Sequence, residues 1–90
     1  MQLKRVVVTG LGALTPIGNT KDEYWEGLRT GKSGSAPITY FDTEKFKTKF
    51  ACELKGYDPN DFFDRKEARK LDRFAQYAMV SSNEAIADSL

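Results

Sequence analysis

Lys66, Arg69, Lys70 and Arg73 recur at i, i+3, i+4 and i+7 in the segment DRKEARKLDRF. At about 100° per residue, that spacing gathers the four cations on one face of a helix. Asp64, with Glu67 three positions on, reads as a helix start, which puts the cations in the first turns. The helix dipole opposes positive charge there by roughly 0.3–1 kcal/mol per residue. Glu67 and Asp72 point off the stripe, so the face is nearly single-signed. Clustered Lys and Arg at a helix start suit an anion: a phosphate, an acidic protein or a nucleic acid. The alternative is an ordinary solvated face, since exposed helix faces are often charged. Nucleic acid is the weakest partner, because fourteen Lys and Arg against thirteen Asp and Glu leave only +1. No aromatic residues interleave the stripe either. The same balance gives no global attraction to a membrane.

Other residues with chemistry in them are few. Cys52 is the single cysteine and histidine is absent. Ser-His and Cys-His nucleophile pairs are therefore excluded from this stretch, and no metal site is expected. A lone thiol forms no intramolecular disulfide and suits a reducing compartment. Gly10 and Gly12 follow Val6-Val7-Val8, which raises the question of dinucleotide binding. That fingerprint needs a third glycine three positions after Gly12, opening a helix that holds the pyrophosphate. Thr15 stands there instead, and Pro16 disfavours helix at Thr15. The acidic residue expected about 20 positions on, at the end of a second strand, has no candidate outside a helix. A buried strand followed by a tight glycine turn is the simpler reading, and no cofactor is expected.

The elements that must position these residues follow from period and punctuation. Apolar content of 40% with 30% charged residues reads as globular. Val6–Val8, apolar at every position, predicts a strand covered on both faces, as inside a parallel sheet. Thr20-Lys21-Asp22-Glu23 reads as a capping box and Gly31 as a stop, giving a helix over 21–30 with Tyr24, Trp25 and Leu28 as its apolar stripe. Lys32–Pro37 is loop by composition, and Asp42–Phe46 has room for one helical turn. Thr48–Leu54 alternates, so Phe50, Cys52 and Leu54 form the buried side of a strand, with Cys52 a small core residue. Asp58-Pro59 predicts a cap followed by proline at the first helical position. Asp64–Leu90 reads as one long helix with Leu71, Phe74, Ala75, Ala78, Ser82 and Ala85 on a single face. The alanines and serines of its second half imply a close neighbour. The fold class is α/β. The run behind Met1–Arg5 is too short for a signal peptide or a membrane span.

KRVVVTGLGALTPIGN, GLRTGKSG, FDTEKFKTKFA and RKEARKLDRFAQYAM, in that order, resemble the N-terminal quarter of the β-ketoacyl-acyl-carrier-protein synthases, with RKEARKLD leaning toward the synthase II branch. The resemblance runs through essentially the whole chain. It implies a thiolase-like fold with layered αβαβα architecture, a cytoplasmic homodimer, and decarboxylating condensation of malonyl-acyl-carrier protein with an acyl-enzyme thioester. A cysteine nucleophile, two histidines and an oxyanion hole of backbone N–H groups belong to that reaction. All of them are expected downstream of residues 1–90, and Cys52 does not match the nucleophile. The family's carrier-protein docking patch carries over to Lys66, Arg69 and Lys70.

Residues 1–90 are thus expected to be the N-terminal part of a β-ketoacyl synthase domain that continues beyond Leu90. The last helix has no glycine or proline stop, and the strand at Val6–Val8 lacks enough elements to cover both faces. A non-catalytic chain-length factor and a polyketide ketosynthase are the alternatives within the resemblance, and a dinucleotide-binding domain lies outside it.

Overall fold

Thr20 starts the first helix as its residue type predicts. The Glu23 N–H donates to Thr20 Oγ1 at 3.2 Å, and Glu23 Oε1 accepts from Asn19 N–H at 3.4 Å. The reach-back of the box thus falls on Asn19 rather than on Thr20. Helix α1 spans Lys21–Thr30 and ends at Gly31, whose φ of 73° is open to glycine at little cost. Its buried residue is Gly27, packed on Ile17, while Trp25 and Leu28 are exposed. Of the stripe read from the sequence, Tyr24 is half-buried, and the described residues leave Trp25 and Leu28 uncovered.

The computed structural model describes residues 2–90. After α1, strand β1 (Ser35–Pro37) pairs antiparallel with β2 (Phe50–Cys52), with Ala36 opposite Ala51. A hydrogen-bonded turn at Thr43–Phe46 lies between the strands where a helical turn had room to form. In β2 the half-buried residue is Ala51, and Phe50 and Cys52 face outward. Of the predicted inner side Leu54 alone is half-buried, and Ala51 and Glu53 from the other side are half-buried too, because a three-residue edge hairpin buries little on either face. Lys55 ties the hairpin to the N-terminal loop: its ammonium donates to the carbonyls of Gly34 (2.7 Å), Glu53 (3.0 Å) and Pro16 (3.3 Å).

Asp58 caps a single 3-10 turn, Pro59–Asp61, through the Asn60 N–H. Two helices follow in place of the expected one: α2 (Arg65–Lys70) and α3 (Arg73–Ser89). Leu71 leaves helical geometry at φ −106°, ψ 131°, and Asp72 takes the N-cap position of α3. The inward row of α3 is Gln76, Val80 and Glu84, with Ala75, Tyr77, Ser81 and Ala85 half-buried; Phe74, Ala78 and Ser82 are exposed. Only Phe63 and Val80 among the described apolar residues are buried. No described helix is long and apolar enough to cross a membrane.

The predicted strand at Val6–Val8 does not form. Residues 2–14 lie outside any strand, and Val6, Val7 and Val8 are 88%, 69% and 77% exposed, because no described strand pairs with them. The glycine turn behind them has a specific use. A Cβ on Gly10 would stand 2.1 Å from the Ala85 carbonyl oxygen, and one on Gly12 would stand 1.9 Å from that of Ser81. The loop backbone lies directly on the small-residue half of α3, which is the close neighbour its alanines and serines imply.

Candidate functional site

Helix α2 begins at Asp64, whose carboxylate accepts from the Glu67 N–H at 3.0 Å. Its six residues run RKEARK, and at about 100° each, Arg65, Lys66, Arg69 and Lys70 occupy an arc of roughly 140°. Ala68, half-buried, faces the protein, and all four cations are exposed. Among the described residues the ion pairs are Lys21–Asp22, Lys21–Asp88 and Glu26–Arg29, so no carboxylate lies within 4.0 Å of the α2 cations. Lys66, Arg69 and Lys70 are brought together as the sequence predicts.

Arg73 is not on their helix, and the charge-placement reasoning changes with it. Because α2 ends at Lys70, Arg69 and Lys70 occupy its last turn. A helix C-terminus favours cations by about 0.3–1 kcal/mol, so the expected penalty becomes a small gain. Of the three predicted docking residues, Lys66 remains near a helix start, while Arg65 opens α2 and Arg73 opens α3. Arg69 and Lys70 therefore need no anion to explain their charge on dipole grounds; what sets all three docking residues apart is exposure and the lack of ionic partners.

The angle between α2 and α3 is held by Gln76, which is 4% exposed. Its amide donates to the carbonyls of Ala68 (3.0 Å) and Leu71 (3.2 Å), two acceptors that the end of α2 leaves without helical partners. Gln76 Oε1 in turn accepts from the Tyr57 hydroxyl at 2.7 Å. Burial pushes the Tyr57 hydroxyl above its ordinary pKa, against the opposing charge of Arg73, so it remains a donor at neutral pH. Tyr57 stacks on Phe62 and meets Tyr77 edge-on. Two clefts flank the bracket. One, of about 250 Å³, is walled by Phe63, Leu71 and Met79 with Lys70 and Glu67 at its edge. The other, of about 350 Å³, has Arg65, Arg69 and Arg73 among its walls. Arg65 and the convergence on Arg73 were missed by the sequence reading. Asp72, an N-cap residue type in mid-pattern, was the available signal.

The remaining chemistry-bearing residues have structural partners or none. Leu11 N–H donates to Asp88 at 3.0 Å, Ala13 N–H to Glu84 at 2.9 Å, and Lys21 N–H to Glu84 at 3.0 Å. The glycine loop thus directs two of its amides to carboxylates of α3, where a dinucleotide phosphate would otherwise compete. Cys52 is exposed on β2 rather than in a core, with no histidine in the chain to activate it.

The described residues thus form a mixed helix-and-strand unit whose exposed α2 cations have no ion-pair partner within 4.0 Å. The family model for "Beta-ketoacyl synthase, N-terminal domain" matches residues 3–90, and the chain belongs to that family. It is 51% identical over 89 residues to the 3-oxoacyl-(acyl-carrier-protein) synthase 2 of Synechocystis sp., and 49% identical over 88 residues to that of Staphylococcus aureus. These alignments take in 99% and 98% of the chain and 21% of each relative. The chain therefore spans about a fifth of the length of the curated relatives it matches. Among solved structures, the ishigamide ketosynthase/chain length factor superposes with a TM-score of 0.83 at 38% identity, over 92% of this chain and 21% of that one.

Proposed function

We propose that residues 1–90 are the N-terminal part of a β-ketoacyl synthase domain with the layered thiolase-like αβαβα fold. As a cytoplasmic homodimer, the enzyme elongates acyl chains in fatty-acid synthesis. Decarboxylation of malonyl-acyl-carrier protein releases carbon dioxide, and the resulting carbanion attacks the acyl-enzyme thioester, expelling the cysteine thiolate. The observation that carries this reading is the 51% identity, across nearly the whole chain, to a relative named as 3-oxoacyl-(acyl-carrier-protein) synthase 2. In this setting the open faces at Val6–Val8 and Phe74 pack on the rest of the domain. Catalytic groups lie outside residues 1–90, and this stretch contributes recognition: Lys66, Arg69 and Lys70 dock the acidic carrier protein. Their support is the family likeness, their shared exposed arc, and the absence of any carboxylate within 4.0 Å of them among the described residues. The apolar cleft beside Lys70 suits a partner that is acidic and amphipathic.

The test uses the complete enzyme with purified acyl carrier protein. Lys66→Glu with Lys70→Glu is expected to weaken carrier-protein binding about tenfold or more at low salt, since like charges then face each other, and to lose most of that effect at high salt. Unchanged affinity at low ionic strength would refute the docking role. Condensation activity is a separate readout: carbon dioxide released from malonyl-acyl-carrier protein in the presence of acyl donor. The second reading, a non-catalytic chain-length factor, is favoured by the solved structure that pairs such a factor with a ketosynthase. An intact fold that binds carrier protein but forms no acyl-enzyme would establish it.

A further inference from the structure

Arg73 is the cation of the sequence stripe that the docking set leaves unused. It is the first residue of α3, a helix of 17 residues with no acidic residue in its first turn and no side-chain hydrogen bond from its N-cap, Asp72. A guanidinium there sits near the positive end of a long dipole, and the neighbouring Asp72 carboxylate neither caps the helix nor pairs with it within 4.0 Å. The dipole penalty that vanishes for Arg69 and Lys70 therefore applies to Arg73. The side chain is exposed, and no carboxylate lies within 4.0 Å of it among the described residues. Its position is fixed all the same: the guanidinium carbon stands 5.6 Å from the centroid of the Tyr57 ring. Tyr57 is itself held by the buried Gln76. From α2, Arg65 and Arg69, one turn apart, open onto the same cleft of about 350 Å³, with Asn60 at its edge.

We propose that Arg73 joins Arg65 and Arg69 in a cleft between α2 and α3 that takes a carboxylate of the acidic carrier protein, making Arg73 a docking residue on a face adjacent to that of Lys66 and Lys70. The inference rests on the carrier-protein reading above. Three guanidiniums without a counter-charge suit a carboxylate, because the planar fork of arginine matches its two oxygens. Lys66 and Lys70 point roughly 100° around α2 from Arg65 and Arg69, so the two faces contact different parts of one partner.

Arg73→Ala in the complete enzyme is expected to weaken binding of acyl carrier protein about three- to fivefold at low ionic strength, as one exposed pair is lost. The loss should shrink with added salt, and Arg73→Lys should recover only part of it, since an ammonium lacks the fork. Melting temperature should change little, because the relief of a cation leaving the positive end of α3 offsets the lost contact with the Tyr57 ring. If Arg73→Ala binds like the parent while Lys66→Glu/Lys70→Glu weakens binding, this cleft is idle and the carrier-protein reading stands. If neither variant changes affinity, both fall. A loss that is equal at all salt concentrations and comes with a lower melting temperature also overturns the proposal, since it marks lost packing rather than a lost charge pair.

Discussion

Asp88 links the glycine loop, α1 and α3 through one carboxylate. It accepts from the Leu11 N–H at 3.0 Å and pairs with the Lys21 ammonium at 3.3 Å. The Leu11 amide first, and the Lys21 charge after it, hold the Asp88 carboxyl below the ordinary aspartate value of 3.8. A carboxylate depressed on folding adds stability above its unfolded pKa and loses it as pH falls through the folded value. Lys21 is raised above 10.5 by Asp22 and then Asp88, so its share is complete below that pH and is lost as pH rises through the folded value. In the complete enzyme, melting temperature is therefore expected to fall on acidification from about pH 4, and Asp88→Asn should flatten part of that slope. An unchanged acid limb in the variant would count against the link. Little of this was legible beforehand. Gly10 and Gly12 announced an unusual backbone, but a glycine does not say which neighbour needs its missing Cβ. The serines and alanines of α3 announced a close approach without naming Gly10 and Gly12. Glu84 and Asp88 carried no signal of their own in the sequence, yet one turn apart on α3 they accept the loop amides of Ala13 and Leu11.

At the scale of elements, the break between α2 and α3 decides what the basic segment can do. The sequence gives good caps: Thr20, Asp58 and Asp64 each hold the N–H expected of them. Periodicity, however, runs smoothly through Leu71 and Asp72, because apolar and charged residues continue at helical spacing on both sides. The break is fixed by a tertiary bracket, and a buried glutamine is invisible to a reading that seeks apolar stripes. Reading two helices as one inverted the dipole argument for Arg69 and Lys70, and did not separate them from Arg73, which opens the longer helix and keeps the penalty. Gln76→Ala would leave the Ala68 and Leu71 carbonyls and the Tyr57 hydroxyl to find other partners. The expected cost is about 1–3 kcal/mol, the usual range for stranded buried polar groups. Amide exchange in the complete enzyme should speed up at α2 and the start of α3, with α1 unaffected. Carrier-protein affinity should drop with it, because the cations lose their fixed arc. Equal acceleration in all three helices would mean that Gln76 supports the whole fold and not the bracket alone.

Taken whole, the chain is open. Its radius of gyration is 16.6 Å, against about 12 Å for a compact domain of the same length. The run Val6–Val8 reads as a strand needing cover on both faces, since an unbroken β-branched run has no polar side to turn to water, but only its need for cover shows in the structure. Residues 2–14 form no strand, because no described strand pairs with them, and the three valine side chains stay exposed. Leu3 (81% exposed), Val6 (88%), Val8 (77%) and Phe74 (75%) are among the most exposed, where a stable monomer keeps large apolar side chains scattered or covered. The outer side of α3, with Phe74, Met79 and Ile86, has the same character. Expressed as residues 1–90 alone, the protein is expected to self-associate, to bind an apolar dye and to melt without a sharp transition. Val7→Lys together with Phe74→Gln should reduce both dye binding and association, because they interrupt the two apolar surfaces while leaving the caps, Gln76 and the glycine loop intact. Sedimentation separates the outcomes. Concentration-dependent species that diminish in the double variant identify these surfaces as the cause, while a monomer with a cooperative melt would mean that the chain closes on itself and that the open faces are covered in solution by its own residues.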